Sequence, residues 1–354
     1  MSIAMIGLDT AKTTFQVHGV DETGKVEIKR KLRRNEVVGF FATQPACTVV
    51  LEACAAAHHW GRVLETLGHT VKLVAPEAVR PFVKRGRKND AADASALCEV
   101  ARRPEVKFVP VKSVEQQATL ALHAARALLV KQQTMLSNAL RGLAAEFGLI
   151  VPQGFVKLEQ LMGMVEAENQ AILPEPARQS LKALYRRFCA MVEEATMLEK
   201  AIGAHAREDA TARRLATIPG VGPITASLIA ATVTDIGLFR SARHFAAWLG
   251  LVPRQHSTGG KARLGRITKA GSSAIRTSLV LGATAMVHRA SQWNSAAGAW
   301  LRGVLGRRPV RLATVALASK VARIAWALMM RGEDYRPHTV RPVISAASGK
   351  VAAA

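Results

Sequence analysis

Four carboxylates in the first hundred residues are the side chains whose types and spacing suggest chemistry. Asp9 ends the apolar run IAMIGLD and Glu52 closes TVVLEA, each where the hydrophobic residues of a strand would stop. Asp90 and Asp93 stand three apart in RKNDAADASAL, which puts both on one side of a helix start. Ligand sites of α/β sheets lie beyond the carboxyl ends of their strands. Like charges gathered there raise one another's pKa unless cations join them, and hard, oxygen-ligated Mg²⁺ meets that need. Two such ions about 4 Å apart can clamp the attacking and leaving oxygens of a phosphodiester. Singly, Asp90 could be a helix cap and Glu52 a surface acid. As a set in a basic protein, the four read as a metal site.

A second group lies in HSTGGKARLGR, residues 256–266. Ser257 and Thr258 precede two glycines, and Lys261, Arg263 and Arg266 follow, with Arg254, Lys269 and Arg276 flanking. Ser and Thr beside Gly often mark only a turn. A hydroxyl nucleophile acting on a phosphodiester, however, must reach out of its scaffold and needs cations around the pentavalent phosphate. No GxxxxGK[ST] can be aligned on this loop, which argues against an ATPase. Upstream, IPGVG at 218–222 sits between helical stretches. There Gly220 and Gly222 would let backbone N–H groups approach phosphate beside the next helix's N-terminus, or would merely cap a helix.

The charge balance decides among partners. The 354 residues carry 49 Lys+Arg against 26 Asp+Glu, a formal +23. Between Asp235 and Glu333 there is no acidic residue at all, while Arg289, Arg302, Arg307, Arg308, Arg311, Lys320 and Arg323 join the loop's cations. A solvated surface mixes both signs, so a polyanion is the expected partner. The four cysteines, Cys47, Cys54, Cys98 and Cys189, show no metal-ligand spacing and read as reduced core thiols of a cytosolic protein. The N-terminus lacks the pattern of a signal peptide, and the most apolar run, 312–330, contains Lys320 and Arg323. No membrane association is expected.

Elements that could position these groups are legible in the pattern. Residues 2–32 show three β-type runs separated by turns, followed by a helix near 35–44, strands at 48–53 and 71–75, a helix between them, and a short helix at 76–84. Strands alternating with helices imply an α/β sheet with parallel strands. After Pro110, Leu122, Leu129, Leu136 and Leu143 recur at seven-residue steps. Leu181, Leu184, Phe188, Met191, Ala195, Leu198 and Ile202 alternate steps of three and four. Long helices over 113–205 follow, either an antiparallel coiled-coil arm that also serves as a dimer contact or a bundle within one subunit. From 213 a second, mainly helical region begins, and 333–354 reads as a loose tail.

Over nearly its whole length the sequence resembles the DEDD transposases of the insertion-sequence-110 family, the bridge-RNA-guided recombinases. GLDTAK carries that family's first Asp, LEAC the Glu and KNDAAD the last two, which map to Asp9, Glu52, Asp90 and Asp93. The resemblance implies a RuvC-like, ribonuclease H-type α/β domain over 1–110, a helical coiled-coil arm over 111–208, a mainly α transposase domain over 209–335 and a tail over 336–354. It also implies a serine that attacks DNA to give a covalent phosphoserine, with Mg²⁺ on the acid set of a partner subunit. Donor and target DNA would be chosen by pairing with a non-coding guide RNA.

One departure is plain. The family's serine immediately precedes glycine, whereas here the order is Ser257-Thr258-Gly259. Ser257 is the expected nucleophile, its primary alcohol being less hindered than that of Thr258. The expectation is a cytoplasmic, nucleoid-associated, bacterial-type recombinase acting as a homodimer or homotetramer. Two rivals stand beside it: a RuvC-like Mg²⁺-dependent nuclease or junction resolvase that uses water, and a non-catalytic nucleic-acid-binding protein.

Overall fold

The computed structural model describes residues 3–83, 90–167, 172–261 and 263–337, so the proposed tail lies almost wholly outside the described residues. The chain divides into two compact units, residues 1–117 and 118–354, with the boundary one turn inside a long helix.

Unit 1 is built on a six-stranded sheet. Its strands are β1 (Met5–Thr10), β2 (Thr14–Val20), β3 (Val26–Arg33), β4 (Thr48–Glu52), β5 (Thr70–Val74) and β6 (Phe108–Val109), in the order β3-β2-β1-β4-β5-β6. The three runs read in 2–32 form an antiparallel meander, because connections of a few residues can only reverse the chain. Parallel pairing is confined to β1–β4–β5, while β5–β6 is antiparallel although its connection also holds helices. The sheet is therefore mixed rather than parallel throughout.

Both faces of the sheet are covered. Helices α1 (Val37–Ala42) and α2 (Ala57–Thr66) pack on one face, where Ile6, Leu8, Phe15, Leu32, Val49, Leu51 and Trp60 are buried. The short α3 (Pro76–Val79) and α4 (Asp90–Ala101) cover the other, with Val50, Val74, Val79, Leu97 and Val100 between. Alternation along β4 sends Val49 and Leu51 one way and Val50 the other, as a strand buried on both faces requires.

Unit 2 begins within α5 (Val114–Ala145), followed by α6 (Val156–Ala167) and α7 (Glu175–Glu208). Pro174 caps α7 and Pro176 sits in its first turn, the one place in a helix where proline is welcome. Helices α5 and α7 run antiparallel. Thr119 meets His205, Arg126 donates to Glu199 at 2.8 Å, and the Gln133 amide donates to the Met191 carbonyl at 2.8 Å. The buried row of α5 is thus Thr119, His123, Gln133, Ser137, Leu140 and Ala144. The leucine row of the sequence reading is displaced from it: Leu122, Leu129 and Leu136 are half-buried and Leu143 is exposed. Polar side chains took the inner positions, Thr119 and Gln133 bonding across the pair, His123 bonding Ser227 and Ser137 bonding Arg141 of its own helix, and a purely apolar heptad pattern passes over them. On α7, Leu181, Phe188, Met191, Ala195 and Ile202 are buried as read, and Leu184 and Leu198 half-buried.

The rest of unit 2 comprises α8 (Ala210–Ala216), α9 (Pro223–Thr232), α10 (Ala242–Trp248), a ribbon of β7 (Pro253–Gln255) and β8 (Leu264–Ile267), α11 (Ser273–His288), α12 (Ala296–Leu305) and α13 (Val310–Arg331). One core joins them, with Leu215, Ile229, Phe245, Leu249, Ile275, Leu279 and Leu317 at its centre. Helix α13 is long and apolar enough to cross a membrane, yet it supplies Ala313, Leu317, Val321, Ala322 and Ala325 to this core. Of the cysteines, all unbridged, only Cys47 and Cys98 are core thiols; Cys54 is exposed beyond β4 and Cys189 half-buried on α7.

Candidate active site

The acids of unit 1 are placed by strand register and by one glycine. β1 and β4 are parallel neighbours with Gly7 beside Val50 and Leu8 beside Leu51, so the next pair along is Asp9 and Glu52. Both point to the α4 face, because Ile6, Leu8, Val49 and Leu51 point to the opposite one. Thr10 and Cys54, the residues just past this pair, touch at 3.4 Å and tie the strand ends together. Asp90 and Asp93 occupy the first turn of α4, where the helix dipole favours negative charge. Residues 87–89 of the RKNDAAD stretch lie outside the described residues.

Gly7 lets α4 come close enough. A methyl group at that position would overlap the carbonyl oxygen of Ala94 and stand 3.1 Å from the Cys98 sulfur. The helix therefore lies directly on β1, with Asp93 one residue before the point of contact. Asp9 feels the result: its carboxyl is pushed up to about 6, first by burial, then by Asp93, Asp90 and Glu52 in turn, against one favourable hydrogen bond from the Thr10 backbone. Among the described residues, no three His, Cys, Asp or Glu side chains converge closely enough to enclose an ion directly. The four acids form an open edge of oxygen donors rather than a closed cage. Their chemistry, hard carboxylate oxygens with Asp9 loaded by burial and by the other three, fits a divalent cation.

The hydroxyl loop is a β-ribbon. Pro253 pairs with Ile267, Gln255 with Leu264, and the His256 N–H donates to the Arg263 carbonyl at 2.8 Å. Gly259 and Gly260 both have positive φ, 56° and 76°, and Lys261 N–H donates to the Thr258 carbonyl at 3.1 Å. That is a two-residue turn of the primed type, whose twist matches the strands it joins. The glycines thus set a defined turn rather than a loose hinge. Ser257 is exposed at the tip, and the Gln255 side chain donates to its Oγ at 2.8 Å. Thr258 lies on the other face of the ribbon, its backbone engaged in the turn.

Arg254, Lys261, Arg263, Arg266 and Lys269 are exposed along the ribbon and its base. Arg276 is half-buried and differently employed. It donates to the carbonyls of Leu249 at 3.0 Å and Ala270 at 2.7 Å, pinning the base of the ribbon to α10. Gly271 at φ 62° lets that base close, since any side chain there would overlap the Trp248 carbonyl.

Gly220 and Gly222 lie in the turn between α8 and α9. Gly220, at φ 83°, packs on Gly282 of α11, while exposed Gly222 precedes the first turn of α9, which has no side-chain cap. Two residues that position the site were missed from sequence: Gly7, whose signal is a glycine inside a strand, and Gln255, whose signal is its place two before Ser257 on a strand.

One chain thus carries an acid edge on an α/β sheet and, in its second unit, a cationic ribbon with an exposed hydroxyl. A family profile described as "Transposase" for DEDD enzymes of the IS110 type covers residues 6–147. Another, described as "Transposase IS116/IS110/IS902 family", covers residues 212–298. Relatives include a probable family 20 transposase of Pseudomonas aeruginosa, 48% identical over 95% of this chain and 100% of the relative. A transposase for insertion sequence element IS1328 of Yersinia enterocolitica is 38% identical over 94% and 98%. That for element IS1111A of Coxiella burnetii is 38% identical over 94% and 92%. The chain belongs to the IS116/IS110/IS902 family of transposases.

Proposed function

We propose that this transposase cuts and rejoins DNA through Ser257, with Mg²⁺ bound by Asp9, Glu52, Asp90 and Asp93. The observation that carries the reading is the shared edge: two strand-end acids on one face of adjacent parallel strands, and two more on the helix that Gly7 seats above them. In this reading residues 1–110 are a RuvC-like domain, 111–208 a coiled-coil arm, 209–335 the transposase domain and 336–354 a tail. The protein acts in the cytoplasm as a homodimer or homotetramer on donor and target DNA chosen by a non-coding RNA.

The residues divide the work. Ser257 Oγ gives up its proton to solvent water and forms a bond to phosphorus, and the departing sugar oxygen leaves with the electron pair of the broken P–O bond and takes a proton from solvent. Gln255, by donating to Oγ, fixes the rotamer while leaving the hydroxyl proton free to depart. Arg254, Lys261, Arg263, Arg266 and Lys269 supply positive charge around the phosphate, and Gly220 and Gly222 present backbone to a neighbouring one. Arg276 holds the ribbon's base in place. Bound Mg²⁺ would supply Lewis-acid stabilisation of the charge on the phosphoryl oxygens. Because the phosphoserine conserves the phosphodiester's energy, attack by a strand hydroxyl restores the chain without ATP.

The test is a trapped adduct. Purified protein, the RNA transcribed from the flank of its own element and DNA carrying the element ends should yield a protein–DNA band stable to denaturant. Ser257→Ala should abolish it and Thr258→Ala should not. The opposite pattern would assign Thr258, and free 5′-phosphate ends with no trapped protein would assign a water nuclease instead.

A further inference from the structure

We propose that the groove between the β2–β3 edge and α4 seats the sugar-phosphate backbone of a nucleic-acid strand as it leads to the acid edge. This rests on the reading of that edge as the cutting site. The groove has a volume of about 420 Å³ and is lined by Gln16, His18, Lys29, Lys31, Ala91 and Ser95, among others.

Register makes it continuous with the acids. Asp9 pairs with Gln16, and Gln16 with Lys31; one step back, Gly7 pairs with His18 and His18 with Lys29. Cross-strand partners share a face, so Asp9, Gln16 and Lys31 form one row on the α4 side, grading from acid through amide to cation. At about 4.8 Å per strand, Lys31 stands roughly 10 Å from Asp9 across the sheet. A phosphate at the acids would therefore have a neighbour, one or two nucleotides away, within reach of Lys31. Lys29 and Lys31 are about 6.6 Å apart along the strand, a spacing suited to successive phosphates.

The two lysines are uncommitted. Both are exposed, and neither has an ion-pair partner among the described residues. Arg30 between them turns to the other face and stacks on Phe40 at 5.7 Å, so the alternation separates packing from binding. Opposite the lysines, α4 presents Ala91 and Ser95, which leave room for a backbone where longer side chains would fill it. His18 is buried at the groove floor, its pKa lowered by burial and then by Lys29, so it lines the groove as a neutral imidazole. Among the described residues the acid that His18 feels is Glu99, a turn along α4 beyond Ser95.

The test uses the full chain without metal, so it does not depend on catalysis. A labelled 20-nucleotide single-stranded DNA and an RNA of the same sequence are titrated in EDTA across a salt series. Each single-strand phosphate neutralised contributes about 0.7 to the slope of log K against log salt. Lys29→Gln/Lys31→Gln should lower that slope by about 1.4 for whichever strand occupies the groove. Between 50 and 200 mM salt the wild type should then lose about sevenfold more affinity than the variant. Ser95→Trp, which fills the groove and leaves both lysines, should weaken binding of the same strand. A slope change no larger than that of Lys131→Gln/Lys200→Gln, two exposed lysines on α5 and α7, would overturn the proposal. Asp9→Asn should leave the slope unreduced, so a failed acid-edge reading would show in the adduct assay and not here.

Discussion

Asp9→Asn should make the metal-free protein more stable near pH 8 and leave it unchanged below pH 3.8. The wild-type carboxyl rises from an ordinary 3.8 to about 6 through burial and the three neighbouring acids. Its folded-state pKa lies above the unfolded one, so the folded state holds the proton more tightly. That contribution is complete below pH 3.8 and is lost as pH rises through about 6. At about 1.4 kcal/mol per pH unit, two units set an upper limit of about 3 kcal/mol. Asp9 is only half-buried, and solvent screening reduces this to about 1–2 kcal/mol. Asparagine cannot ionise and escapes the loss. Urea unfolding of unit 1, read by hydrogen exchange in the β1 and β4 peptides in EDTA, should show the variant ahead by that amount at pH 8, with the lead shrinking through the window between 3.8 and about 6 and gone below it. Millimolar Mg²⁺ should then stabilise the wild type by mass action and the variant much less. A difference that stays constant with pH, or a variant less stable at pH 8, would refute the claim that burial and the three neighbouring acids load Asp9.

Two further outcomes follow from packing. Gly7→Ala forces a methyl into the Ala94 carbonyl, and lifting α4 to accommodate it should cost about 1–3 kcal/mol in urea unfolding. Adduct formation should fall further than stability does, because Asp90 and Asp93 move with the helix; an active, fully stable Gly7→Ala protein would contradict the close approach. Arg276→Gln removes a cation that donates to two carbonyls, a loss of about 1.5–3 kcal/mol, and should raise hydrogen exchange in the 253–267 ribbon selectively. Unaltered ribbon exchange would mean that Arg276 is free for nucleic acid instead.

How much of this was legible in the sequence depends on how local the signal was. Strands β1 to β5 and the acids at the ends of β1 and β4 could be read, because a buried strand is a short apolar run and a charge at its end stands out. The order of strands could not, since pairing β4 beside β1 is a long-range choice that leaves no mark on either segment. On α5 the leucines drew attention away from Thr119, Gln133 and Ser137, whose burial depends on hydrogen bonds to another helix or to its own turns. The ribbon at 253–267 read as a loop because its strands are three and four residues long, exposed and cationic, with no apolar alternation to betray them. Only the Gly259-Gly260 pair hinted at a hairpin.

The two candidate sites are held by the same device, which explains why glycines accompany both. An exposed two-stranded ribbon has little stability of its own. Ser257 can be fixed in space only if the ribbon's base is, and the base closes because Gly271 admits the Trp248 carbonyl while Arg276 ties Leu249 to Ala270. Asp90 and Asp93 likewise depend on the seat of α4, which Gly7 provides two residues before Asp9. In each case the candidate side chain is polar and partly or fully exposed, so it cannot anchor itself by burial. The anchoring falls to a backbone contact with no side chain between, one of the closest approaches two elements can make. The same reasoning extends to the turn before α9, where Gly220 and Gly282 meet backbone to backbone. Alanine at Gly7 or Gly271 should therefore disturb function through position, while leaving every carboxylate and hydroxyl chemically intact.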